Sequence, residues 1–159
     1  MTQIANAGAQ LVVEHLRSWN AQAISQVIEY HGETTLVIPK ELLRATARQC
    51  KEDPALLFNL LSDATCVDRY PLEPRFELNY HLVSIPRRDR FRLRTSVSMQ
   101  HPVVDSLEPV WPGANWLERE IFDLFGIQFS GHSDLRRILL PEGFEGFPLR
   151  RDFPTEGKR

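Results

Sequence analysis

Glu118, Arg119, Glu120 and Asp123 place four ionisable side chains within one short stretch of the chain. Glu120 and Asp123 stand three residues apart. On a helix that spacing puts two carboxylates on one face, where they could act as acid and base or hold a metal. Nothing else supports either chemistry, because no helix carries Glu-x-x-His and no second carboxylate–histidine pair occurs. Arg119 lies four residues from Asp123, the spacing of an intrahelical ion pair. The charges are fused to an apolar run, Ile121 to Phe129, interrupted only by Asp123, Gly126 and Gln128. Charges on an apolar stripe are costly to bury unless they are paired. The segment therefore reads as a surface that meets another surface.

His132 follows Gly131 just after this stretch, and a lone histidine there reads as a hydrogen-bonding loop residue. His15, His31, His81 and His101 are scattered at unrelated spacings. Cys50 and Cys66 form no Cys-x-x-Cys and have no histidine at zinc-ligand spacing. Neither glycine-rich phosphate loop, G-x-G-x-x-G or G-x-x-x-x-G-K-[ST], is present. No catalytic site is recognisable. Arg90, Arg92 and Arg94 alternate with Phe91 and Leu93 beside Arg87 and Arg88, so one strand face is lined with guanidinium groups. Such a face could take nucleic acid. A net charge of −2 gives no global pull toward a polyanion, so a solvated face or an acidic protein partner is favoured.

The elements that carry these residues must come from 159 residues, enough for one domain that buries about 70% of its unfolded surface. Leu11, Val12, His15, Leu16 and Trp19 follow a helical stripe. Ile24 to Tyr30 and Thr34 to Ile38 read as strands joined by a turn at His31-Gly32-Glu33. Pro39 opens a second helix that runs to about Glu52, and Asp53-Pro54 breaks it. Phe58 to Leu61 and Ala64 to Asp68 form an ambiguous pair of runs in which Thr65-Cys66-Val67 favours strand. Phe76 to Ile85 and Phe91 to Val97 alternate and are joined at Pro86 to Arg90. Helical pattern returns from Ser106, is interrupted at Pro112-Gly113, resumes at Ala114 and stops at Gly126.

This order predicts an α+β fold, a two-layer sandwich whose mixed, mostly antiparallel sheet has helices packed on one side. A doubly wound nucleotide-binding fold would need alternating strands and helices, which are absent. The expected organisation is one α+β domain over 1–140 and an extended C-terminal arm over 141–159. That arm, rich in Gly and Pro yet carrying Phe144, Phe147, Leu149 and Phe153, is expected to order only against a partner. Met1 to Gln10 has no signal-peptide core, and two thiols suit a reducing, cytoplasmic setting. No apolar run approaches the ~20 residues that span a bilayer, so membrane association is expected only through partners.

Glu118-Arg119-Glu120, Asp123-Leu124-Phe125, His132, Arg136 and Ile138-Leu139, at their spacings, resemble the signature of the 30-kDa subunit of respiratory complex I, the C subunit of the type I NADH–quinone oxidoreductase. The flanks are similar too: Ala114-Asn115-Trp116 before it, then Arg137 to Pro141 and Phe147 to Pro154 after it. The resemblance is strong from about Arg75 to Pro154 and rests on topology alone before that.

It implies a non-catalytic structural subunit of the hydrophilic peripheral arm, on the cytoplasmic side of the inner membrane. Such a subunit docks on the large quinone-site subunit and binds no flavin, iron–sulfur cluster or quinone, although the complex uses FMN, iron–sulfur clusters, NADH and quinone. Glu118, Arg119, Glu120, Asp123, His132, Arg136, Arg150, Arg151 and Phe153 are then the expected partner-interface residues. The alternatives are the equivalent subunit of a membrane-bound [NiFe]-hydrogenase-type complex and, more remotely, a nucleic-acid-binding domain.

Overall fold

A computed structural model of the chain describes residues 7–154 and residue 156. The start of the polar N-terminal segment and the last residues of the arm lie outside them. Helix α1, Ala7–Trp19, forms because Val12, Val13 and Leu16 recur on one side, and all three are buried. Strands β1, Gln26–Tyr30, and β2, Glu33–Val37, make a hairpin. His31 and Gly32 both have positive φ, the turn whose twist matches that of the strands. A 3-10 turn at Lys40–Leu42 leads into α2, Leu43–Glu52, which turns Leu43, Thr46, Ala47 and Cys50 inward. Asp53 then ends it, its Oδ1 accepting the Ala55 N–H at 2.8 Å.

The two ambiguous runs after residue 58 are one strand, β3, Leu60–Asp68. A register shift between Leu61 and Asp63 absorbs the polar pair that divides them in sequence. Strands β4, Phe76–Ser84, and β5, Asp89–Val97, complete a five-stranded sheet of order β1-β2-β5-β4-β3. All neighbours are antiparallel except β2 and β5. The sheet is therefore mixed, with its helices on one side.

Register divides the two faces. Leu36, Leu93, Tyr80 and Ala64 lie across β2, β5, β4 and β3 and are all buried in the core. One residue away, Thr35, Arg92, His81 and Asp63 form the corresponding row on the opposite, helix-free face.

Helix α3, Ala114–Phe125, matches its sequence boundaries, whereas the helical stretch expected from Ser106 does not form. Pro109 and Pro112 limit that segment to turns, closed by the Val110 and Trp111 N–H groups donating to Leu107 O. Two short strands had no visible pattern: β6, Val103–Asp105, pairs in parallel with β7, Gln128–Ser130, on either side of α3. No helix among the described residues is long and apolar enough to cross a membrane.

Candidate functional site

Helix α3 turns Glu118, Arg119 and Asp123 into the protein, where Glu118 binds the backbone at Leu107 and the other two bind the stretch 136–140. Glu118 is fully buried. One of its oxygens accepts the Leu107 N–H at 2.6 Å and the other the Ser106 hydroxyl at 2.6 Å. Burial pushes its carboxyl up to about 7, against the lowering effect of these two bonds.

Arg119 donates from Nε to Arg136 O at 3.1 Å and from Nη2 to Arg137 O at 3.2 Å, while its guanidinium sits 5.2 Å from the Trp116 ring centroid. Asp123 Oδ2 accepts the N–H groups of Ile138, Leu139 and Leu140 at 3.0, 2.7 and 2.9 Å. Its Oδ1 takes Arg137 Nη1 at 2.7 Å. Burial alone would raise the Asp123 carboxyl, but the three backbone donors and Arg137 outweigh it and hold it below the usual carboxylate range.

These positions correct the reading of the triplet as a set of partner-facing charges. Glu118, Arg119 and Asp123 are buried because the chain itself supplies their partners. The Arg119–Asp123 ion pair does not form, since Arg137 holds Asp123 and main-chain carbonyls hold Arg119. Glu120 stays exposed on the outer side of the helix.

His132 has an enclosed side chain. Its Nδ1 lies 3.0 Å from the Asp134 N–H and accepts from it, so the neutral ring carries its proton on Nε2, which donates to Asn115 O at 3.1 Å. Glu108 beside it accepts from the Ser133 hydroxyl and N–H and from Asn115. The Ser133 bonds hold its carboxyl down to about 2. Arg136 is exposed and pairs with Asp134 at 2.9 Å.

The arm residues are also engaged within the chain. Arg150 Nε donates to Phe125 O at 2.7 Å, and its guanidinium lies 4.4 Å from the Phe147 ring centroid and 5.2 Å from that of Phe76. Arg151 donates its N–H to Asp68 at 2.8 Å and its Nη1 to Tyr70 O at 3.2 Å. Phe153 is half-buried and stacks on Phe144. The segment has no helix or strand through Pro154, and its described residues fold back over the domain that precedes them.

The strongest of these links joins residues that spacing did not single out. Arg75, only 4% exposed, makes two bonds to Asp68 at 2.9 and 2.7 Å and two to Asp152 at 2.9 and 2.5 Å. Burial would raise Asp68, but Arg75, with the N–H groups of Arg151 and Tyr70, holds it down to about 2. Arg44, equally unforeseen, clips the small sheet by donating to Ser106 O and Ser130 O.

Both oxygens of Glu118 and of Asp123 are engaged in hydrogen bonds. Among the described residues no cluster of three or more His, Cys, Asp or Glu is placed to hold a metal ion. Cys50 and Cys66 are buried free thiols, and burial pushes both up, Cys66 to about 12. What the constellation does chemically is hold main chain in place.

A family model described as the respiratory-chain NADH dehydrogenase 30 Kd subunit matches residues 36–159. The NADH-quinone oxidoreductase C subunit numbered 2 in Rhizobium etli (strain CIAT 652) is 50% identical over 127 residues, 80% of this chain and 67% of the relative. The NADH-quinone oxidoreductase C subunit of Roseiflexus sp. (strain RS-1) is 46% identical over 143 residues, 90% of this chain and 82% of the relative. A solved trypsin-resistant fragment of Nqo5 superposes with a TM-score of 0.69 at 33% identity, covering 80% of this chain and 99% of the fragment. A chain of the membrane-bound sulfane sulfur reductase, an archaeal respiratory membrane complex, has a TM-score of 0.77 at 22% identity, covering 92% and 86%. The last is a likeness of fold alone.

Proposed function

The chain belongs to the family of the respiratory-chain NADH dehydrogenase 30 Kd subunit, and from that premise we propose that it is the C subunit of a proton-translocating NADH–quinone oxidoreductase. In this reading it is a structural member of the peripheral arm that docks on the large quinone-site subunit. FMN, iron–sulfur clusters, NADH and quinone are handled by other subunits, and the chain reaches the cytoplasmic side of the inner membrane through its partners. The hydrogenase-type alternative is not favoured, since the relatives described above carry the name of the NADH-quinone oxidoreductase C subunit.

The observation that carries the structural role is the use to which the signature is put. Glu118, Arg119 and Asp123 bond chiefly to backbone groups of their own chain, with the Ser106 hydroxyl and Arg137 completing the two carboxylates. Buried groups whose bonds are committed in this way position the fold. The partner-facing part of the motif is then what remains outside: Glu120, Arg136 and Arg151, with exposed Trp116 and Leu139 beside the buried groups. An aromatic ring exposed by 62% and backed by a guanidinium is the kind of anchor that interfaces use.

The test is co-purification of the tagged chain from mildly solubilised membranes. The large quinone-site subunit should come with it in equal amount. Recovery with a subunit bearing nickel-binding Cys-x-x-Cys pairs, or recovery of the chain alone, would overturn the reading.

A further inference from the structure

The helix-free face of the sheet has no helix over it among the described residues, and its charges are not balanced evenly. Strand β5 is the middle strand, so Arg90, Arg92 and Arg94 run down the centre of that face. Arg90 is neutralised by Glu33 at 2.5 Å. Arg94 is neutralised by Glu77 at 3.2 Å and also donates to Asn79 Oδ1 at 3.1 Å. Arg92, between them, has no carboxylate within ion-pair reach among the described residues. Its one hydrogen bond runs from Nη1 to Thr35 Oγ1 at 3.4 Å, the weak limit of such a contact. Its Nε is enclosed without any partner.

We propose that this face is a docking surface and that Arg92 anchors it by receiving a carboxylate from an acidic segment of a neighbouring subunit. The inference rests on the reading of the chain as one subunit of a larger complex. A half-buried guanidinium without a counter-ion has lost solvation that one weak hydrogen bond does not replace. Guanidinium donors left without an acceptor are best satisfied by a carboxylate, which can take two parallel bonds.

Neighbouring residues set the direction of approach. His81 lies opposite Arg92 on β4, and Asp63 lies beyond it on β3. Asp63 is exposed and repels a second carboxylate, so the incoming group enters from the side of Thr35 on β2. Burial and the adjacent Arg92 hold His81 below its ordinary pKa, so at neutral pH its ring is uncharged and adds a hydrogen-bonding group to the row. The same geometry argues against a nucleic acid. Glu33, Asp63 and Glu77 surround the row, and a continuous polyanion would meet all three.

The experiment uses the assembled complex and the full chain. In competition with wild type for incorporation into the complex, Arg92→Gln should be depleted about tenfold and Arg92→Lys less. The melting temperature of free Arg92→Gln should equal or exceed that of wild type, because an unpaired charge has been removed. On the wild-type chain, a histidine-modifying reagent read out by peptide mass should label His81 in the free subunit and spare it in the complex. Equal incorporation of Arg92→Gln, or equal labelling of His81 in both states, would overturn the proposal while leaving the subunit reading intact. Failure of the wild-type chain to assemble with any subunit removes both. Binding of a single-stranded oligonucleotide at low salt that disappears in Arg92→Gln would replace the carboxylate with a phosphate backbone and overturn it as well.

Discussion

Arg75 and Asp152 are 77 residues apart in the chain and meet through two hydrogen bonds, at 2.9 and 2.5 Å, on the side of the guanidinium that Asp68 leaves open. The arm is thus fastened to the β3–β4 end of the sheet by one cation shared between two carboxylates. Asp68 is the deeper partner, with a side chain almost without exposure, and Asp152 is partly open to solvent. Arg75→Met should therefore cost about 3–5 kcal/mol, because it strands the buried carboxylate. Asp152→Asn should cost far less, since solvent screens that side. Urea unfolding of the two variants checks the ratio, and similar losses would place the weight on the exposed pair instead.

Asp123 carries a comparable load through backbone. Asp123→Ala leaves three N–H groups without an acceptor and removes the carboxylate paired with Arg137, and should destabilise the free chain by about 3–5 kcal/mol. Asp123→Asn keeps one oxygen in place and should cost about 1–3 kcal/mol. Thermal melting of the isolated chain measures both. An unchanged melting temperature for Asp123→Ala would mean that the 138–140 segment is held by something else.

Gly126 should not tolerate a side chain. It ends α3 at φ +74°, and a Cβ there would lie 2.6 Å from Arg150 and from the Phe147 ring. Gly126→Ala is expected to add left-handed strain of about 1–2 kcal/mol and to push the arm off the helix end. Limited proteolysis should then cut between residues 141 and 154 faster than in wild type. The same cleavage pattern in both would show that the contact is dispensable.

Stability should vary with pH in two opposite senses. Glu118 binds its proton more tightly folded, near 7, than unfolded, near 4.5. Its contribution is complete below about 4.5 and declines as pH rises toward 7, with a slope of at most about 1.4 kcal/mol per pH unit for one proton. Asp68 and Glu108, held near 2, act the other way: their contribution is present above about 4 and is lost as pH falls toward 2. Glu118→Gln should flatten the decline between pH 4.5 and 7 and leave the acid limb unchanged. Denaturant midpoints measured from pH 2 to 8 on both proteins test this, and an unchanged neutral slope would exclude Glu118 as its source.

Sequence pattern carried the fold further than it carried the site. Alternation in Phe76–Ser84 marked the buried face of β4, the His31-Gly32 turn marked the first hairpin, and Gly126 marked the end of α3. Each is a local effect, decided within a few residues. Strands of three residues, such as Val103–Asp105, are too short for alternation to register, and their pairing is set by residues on the far side of α3. The charge triplet failed for a different reason. Spacing compares side chains with side chains, whereas Glu118, Arg119 and Asp123 are paired largely with main-chain N–H and C=O groups, which residue type does not mark. Arg75 was invisible because its second carboxylate arrives from the other end of the chain.

The shared guanidinium also has a direction in time. A ribosome delivers Asp68 and Arg75 together with the sheet, but Asp152 only after β7 and the whole run that follows it. Until then the partner for one side of Arg75 has not been made, and Arg150 has not reached Phe125 O. The closing bond of the fold is thus a late product of translation. Nascent chains stalled before residue 150 should stay open to protease around Tyr70 and Phe125, and those stalled with residue 152 outside the tunnel should not.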